Sequence, residues 1–175
     1  MGAARLRAVV ISAAMAALAL VLPVIFHAVG LGSKFLPLLL PLLLNGFLVP
    51  WRWAAATGAA VPLISALATG MPPLYPPVAA VLAAEGAVLG GMAAALHRPR
   101  RGGVWPALLA AVAAGRMTTF LLTWAMAPLF GLPPAPSAAA ALIQGLPGVA
   151  LQLAVVPLAL RGLARRGGIL FSDGR

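Results

Sequence analysis

VAAVLAAEGAVLGGMAAALHRPRR, residues 78–101, carries the architecture of the chain in miniature. Nineteen residues pass with one polar side chain, Glu85, and three arginines follow within five positions. A helix of that length rises about 28 Å, close to the thickness of a bilayer's hydrocarbon core. The arginines close the apolar run instead of interrupting it, which is how positive charge marks one side of a membrane. Outward from this stretch the composition keeps the same character. The 175-residue chain is 63% hydrophobic and 8% charged, whereas a soluble domain is about a quarter charged. Twelve basic and two acidic side chains cannot cover a water-soluble fold of this size. A formal charge of +10 would otherwise suggest nucleic acid. Here the basic residues lie between apolar runs, so a bilayer and no nucleic acid is the expected partner. Cysteine is absent, which removes disulfides, thiol nucleophiles and thiolate metal sites.

Pro, Gly and Arg bound six such runs. The sequence therefore predicts an all-α membrane protein, a bundle of six transmembrane helices with both termini cytoplasmic. The spans fall at approximately 8–29, 33–49, 52–68, 78–96, 104–128 and 137–161. They form a single transmembrane domain over residues 1–175, with a short cytoplasmic tail at 162–175. Spans two and three are short and separated only by Pro50, Trp51 and Arg52; a tight hairpin and a tilted or partly re-entrant segment both fit. The first run reaches Val29, too long for a signal-peptide apolar region. With the N-terminus inside, Arg5, Arg7, Arg52, Arg98, Arg100, Arg101, Arg161, Arg165, Arg166 and Arg175 fall on the inner side. Only Lys34 falls outside, and the outer loops at 70–77 and 131–137 carry no charge. That asymmetry sets the orientation. Trp51, Trp53 and Trp105 then sit near the inner boundary as an aromatic belt.

Ionisable residues inside spans are costly and are functional candidates by default. Here they are Glu85 and Arg116. Glu85 lies about 10 Å below the outer end of span four and Arg116 about 18 Å below that of span five. An outward-reaching guanidinium meets the carboxylate if those spans are neighbours. Either the two form a structural pair or they contact a ligand, and the readings are compatible. Gln144 in span six lies at a depth similar to Glu85. Lys34 and His27 flank the outer end of the first hairpin, and Tyr75 and Met71 lie in the outer loop before span four. Asn45 and Gln152 lie deeper, as pocket groups or as interhelical hydrogen-bonding groups. Trp124, nearer the outer end, faces lipid or stacks on a ligand. Glu85, Arg116, Gln144, Lys34, Tyr75, Met71 and Asn45 make the candidate substrate-binding set. Most of these polar groups converge on the outer half, which is what a pocket for a small polar solute needs. No metal site and no catalytic residue is expected: the only acids, Glu85 and Asp173, are far apart in the chain, which leaves metal-assisted chemistry almost without ligands.

Span one carries small residues at four-residue spacing: Ala4, Ala8, Ser12 and Ala16, with Ala13 and Ala17 on an adjacent row. Such rows let another helix approach closely.

Taken together, several motifs resemble the substrate-binding S components of energy-coupling factor (ECF) vitamin transporters. They are Leu36-Pro37, the stretch from Pro62-Leu63-Ile64-Ser65 to Thr69-Gly70-Met71-Pro72-Pro73, Pro76-Pro77, Glu85-Gly86, Gly115-Arg116, and Leu146-Pro147-Gly148 with Gln152. The resemblance implies a non-catalytic, high-affinity binder of a vitamin or related micronutrient in a bacterial plasma membrane, with no cofactor of its own. It also implies a transmembrane coupling protein and two cytoplasmic ATPases as partners, and a docking surface at Ala13 and Ala17, with the Ser12/Ala16 row as the alternative. The chain itself has no phosphate-cradling Gly-rich motif ending in Lys-Ser or Lys-Thr. The competing expectation is a stand-alone small-solute carrier or channel coupled to the proton gradient through Glu85.

The docking assignment has a direct check. Ala13→Leu combined with Ala17→Leu is expected to leave solute binding intact and to abolish co-purification with the coupling protein. Surviving assembly in the pull-down removes span one, or this row of it, from the interface.

Overall fold

A computed structural model describes residues 2–28, 30, 35–97 and 103–165 of the chain. These form six α-helices: α1 (Ala3–Ala28), α2 (Leu39–Leu48), α3 (Trp51–Thr69), α4 (Val78–Leu96), α5 (Val104–Met126) and α6 (Pro134–Arg165). A short 3-10 turn, Ala127–Phe130, extends α5. Four of the six, α1, α4, α5 with its 3-10 extension, and α6, are long and apolar enough to cross a membrane. The other two differ in instructive ways. α3 has the length, nineteen residues, but Trp51, Arg52 and Trp53 in its first turn dilute its hydropathy. α2 has only ten residues, about 15 Å of helix. It begins at Leu39 rather than at residue 33 because Leu36 holds a left-handed backbone angle, φ 44°, with Pro37 next in the chain.

Local chemistry places the remaining boundaries. Gly70 (φ 74°) ends α3, Gly103 (φ 61°) precedes α5 and Gly131 (φ 68°) ends the 3-10 turn, a backbone region open to glycine at no steric cost. Past Gly70 the chain is fastened back on α3, because the Ser65 hydroxyl donates to the Met71 carbonyl at 2.7 Å. α4 follows Pro76-Pro77 and stops at His97, two residues before Pro99. α6 runs on through Pro157 to Arg165, four residues beyond the expected end of its span. The rest of the expected tail, 166–175, lies outside the described residues.

α4 is the centre of the bundle. It packs against α3, α5 and α2, while α6 covers α5 and α2, and α1 lies against α2 and α3. Two glycines on α4 let its neighbours approach to backbone contact. A Cβ on Gly86 would stand 2.5 Å from the Gly58 carbonyl oxygen of α3, and one on Gly46 of α2 would stand 2.5 Å from the Gly90 carbonyl. Where lipid tails are as apolar as the side chains, such close packing and interhelical hydrogen bonds are what hold helices together.

α2 is buried on nearly every side, from Leu39 to Phe47. Its Leu43, Leu44 and Phe47 join Leu89 of α4, Leu108 and Val112 of α5, and Val156 and Leu160 of α6 in the main core. α1, in contrast, buries one narrow stripe, Ala8, Ser12 and Ala19, and presents Leu6, Val10, Val21, Val24 and Ile25 outward. Exposed apolar side chains of this size are unfavourable in water and suited to lipid.

Gly86→Ala is expected to destabilise the protein by about 1–3 kcal/mol, because the new methyl group meets backbone that cannot swing away. Unfolding in detergent, followed by circular dichroism, reads this directly; a stability equal to wild type would mean that α3 and α4 separate easily.

Candidate functional site

One cavity, about 480 Å³, lies between α4, α5 and α6 at the end where α4 begins, α5 ends and α6 begins. α4 contributes Val78, Val81, Leu82 and Glu85, which follow a helical repeat of three and four residues along one face. α5 contributes Arg116, Thr119, Thr123 and Met126 at the same repeat, and α6 contributes Ser137, Ala140, Ala141, Gln144 and Gly145. Leu36 lines it ahead of α2, and Pro76, Pro77, Phe130 and Leu132 bound it at the loop end. Sites of this kind, mostly apolar with a few placed polar groups and a few hundred Å³ in volume, are typical of small-molecule pockets.

The polar groups gather at the floor. Glu85 is completely buried, and its carboxylate is held from two sides. Arg116 pairs with Oε1, and the Thr119 hydroxyl donates to Oε2 at 2.6 Å. An isolated buried charge is prohibitively costly, whereas a paired and hydrogen-bonded one is tolerated. Gly115 lies against α4, where an added Cβ would crowd Leu89 Cδ1 at 3.1 Å and make only ordinary contact, 3.5 Å, with the Glu85 Cγ. Gly145 lies under the guanidinium, so that a methyl group there would collide with Nη1 of Arg116. The Gln-Gly step of α6 thus has a geometric reason: its glycine gives space to the guanidinium.

The structure brings Glu85, Arg116 and Gln144 together on this cavity. Tyr75 stands outside it, 79% exposed, with its ring edge-on to Phe130 at a centroid distance of 5.1 Å. Met71 is also exposed and does not line the cavity. Its role here is in the turn, where its carbonyl accepts from Ser65 and Thr69. Asn45 lies away from the cavity, fully buried on α2, and exchanges long hydrogen bonds of 3.4–3.5 Å with Ser12 of α1. Depth alone does not reveal which face of a helix a residue occupies, and Asn45 faces α1. The same bonds put Ser12 inside the bundle, while Ala13 and Ala17 are exposed. Lys34 lies outside the described residues. Trp124 is exposed and does not line the cavity. Gln152 is buried with its carbonyl oxygen lacking a hydrogen-bond partner among the described residues.

Thr119, Thr123, Ser137 and Gly145 are the polar or space-making residues that the sequence reading passed over. The signal was available: Thr119 and Thr123 fall three and seven positions after Arg116, and Ser137 seven before Gln144, each on the same helical face. At the opposite end of the bundle, beyond α4, burial holds the His97 imidazole below the usual histidine range, and its ring packs edge-on against Phe47. Among the described residues no group of three or more His, Cys, Asp or Glu side chains is placed to hold a metal ion.

Residues 7–160 match the family model described as ECF transporter, substrate-specific component. No curated protein and no solved structure matches the chain.

The carboxylate clamp makes its own prediction. Thr119→Val deprives the buried Glu85 of a charge-assisted hydrogen bond and is expected to cost about 1.5–3 kcal/mol. Thr118→Val is the control, since the Thr118 hydroxyl bonds only its own helix, at Ala114, and its loss is expected to stay within about 0.5 kcal/mol. Chemical unfolding in detergent separates the two; equal losses would mean that Thr119 does not support the carboxylate.

Proposed function

The chain belongs to the family of substrate-specific components of ECF transporters, and from that premise we propose that it is the high-affinity binding subunit of an ATP-driven importer for a vitamin or related micronutrient. By family it binds substrate and is not catalytic, as a multi-pass membrane protein. The observation that supports the finer reading most is the cavity of α4, α5 and α6. It combines apolar walls with a floor of paired charge, and it lies at the end of the bundle carrying the uncharged loops 70–77 and 131–137. In a six-span arrangement with both termini cytoplasmic, as the arginine distribution favours, that end faces outward in a bacterial plasma membrane.

Capture there is the first half of the cycle. A transmembrane coupling protein and two cytoplasmic ATPases supply the second, docking on the small-residue face of α1 at Ala13 and Ala17. The loaded subunit then rotates in the membrane and releases its solute inside. Arg116 and Gln144 bind the solute within the cavity, Glu85 holds Arg116 in place, and Lys34, Tyr75 and Met71 belong to the outer rim.

Mass spectrometry of small molecules released from the purified protein is expected to yield one stoichiometric, vitamin-like compound. Titrated back, that compound is expected to bind Arg116→Ala more weakly by about tenfold or more, with the variant still inserted in the membrane. Unchanged affinity removes Arg116 from the pocket. Uptake by cells is expected to require the coupling and ATPase subunits. Uptake by this chain alone, lost with an uncoupler and in Glu85→Gln, would favour a proton-coupled carrier instead.

A further inference from the structure

Resting on the binding-subunit reading, we infer that the solute held in this cavity is uncharged, with a hydrogen-bonding group that both donates and accepts, such as an amide, a lactam or a hydroxyl. The charge of the wall carries the inference. Glu85 and Arg116 are the only charged side chains that line the cavity among the described residues, and they pair with each other at its floor; Lys34, assigned above to the rim, lies outside those residues. The Glu85 side chain is 0% exposed and offers a cation no surface to approach. Arg116 is 14% exposed at its side chain; Nη2 faces Glu85 and Nη1 lies over Gly145.

An anion brought to this guanidinium meets attraction from Arg116 and repulsion from the Glu85 paired with it, so the net field is smaller than that of a free arginine. Moving a carboxylate or phosphate out of water costs several kcal/mol per ion, and a floor whose charges are already paired repays less of it than a free cation would. An uncharged head avoids that cost. Thr123, Ser137 and the Gln144 amide each donate and accept hydrogen bonds and all line the cavity. The rest of the solute lies against Val81, Leu82, Met126 and Phe130.

The test uses the full chain in lipid nanodiscs, incubated with a bacterial small-molecule extract and washed; retained compounds are identified by mass spectrometry and sorted by charge at neutral pH. Wild type is expected to retain an uncharged compound. Glu85→Gln frees the charge of Arg116 and is expected to shift retention toward anionic compounds by about tenfold. The double variant Glu85→Gln with Arg116→Gln restores a neutral wall. It is expected to retain the uncharged class, more weakly, and so decides the matter if the single variant does not fold. A carboxylate or phosphate compound on wild type overturns the inference and leaves the binding reading intact, as does a folded Glu85→Gln with wild-type selectivity. An empty wild-type protein overturns the binding reading, and this inference with it.

Discussion

A carboxylate with no exposed surface sits in the middle of an apolar bundle, and the arrangement of helices around it follows from its needs. Glu85 must be neutralised where it stands, because the unpaired charge would cost far more than any single packing contact returns. The partner is Arg116, and the pairing fixes how α4 and α5 lie against each other. Thr119, one turn along from Arg116, then falls at the second carboxylate oxygen. Gly145 follows from the same requirement, since a side chain there would occupy the space of the guanidinium.

The other faces of α4 obey a different rule. Toward α3 and α2 it presents Gly86 and Gly90, which meet Gly58 and Gly46 at backbone distance. Close approach on those two sides and a charged contact on the third give one helix two different means of adhesion. Neither relies on driving apolar side chains out of water, which has no counterpart inside a bilayer. α2 fills the interior beside it, and α1 stays at the edge with large apolar side chains turned outward. The most buried helix and the least buried thus lie next to each other, joined by the Ser12–Asn45 contact.

For function, the same pair that holds α4 and α5 together closes the deep end of the cavity. Structural and ligand-facing roles are therefore not alternatives here. A floor whose charges are satisfied internally can be dry and selective without being electrically attractive, and the hydroxyl and amide groups above it are left to orient a solute. The loop end is built of proline, phenylalanine and leucine, so polar recognition is confined to a band one or two helical turns deep.

The sequence by itself determined the helical class and the bounds of α4, and it set Glu85 and Arg116 at depths where they meet if α4 and α5 are neighbours. Those follow from hydropathy, from prolines and glycines at the ends, and from the depth of two ionisable residues that need each other. It also marked Gln144, at the same depth as Glu85. What the sequence left undecided has a common cause. A leucine-rich run such as Leu39–Leu48 reads the same whether it faces lipid or protein, and only the tertiary structure shows α2 enclosed on nearly every side. Asn45 has the right chemistry for a pocket, yet its helix turns it toward Ser12. Thr119 and Thr123 are too ordinary to attract notice until their face of α5 is known. Hydropathy records how far a residue lies along a membrane normal, while the rotation of each helix about its axis is set by packing with its neighbours, and it is rotation that chose the residues of the cavity.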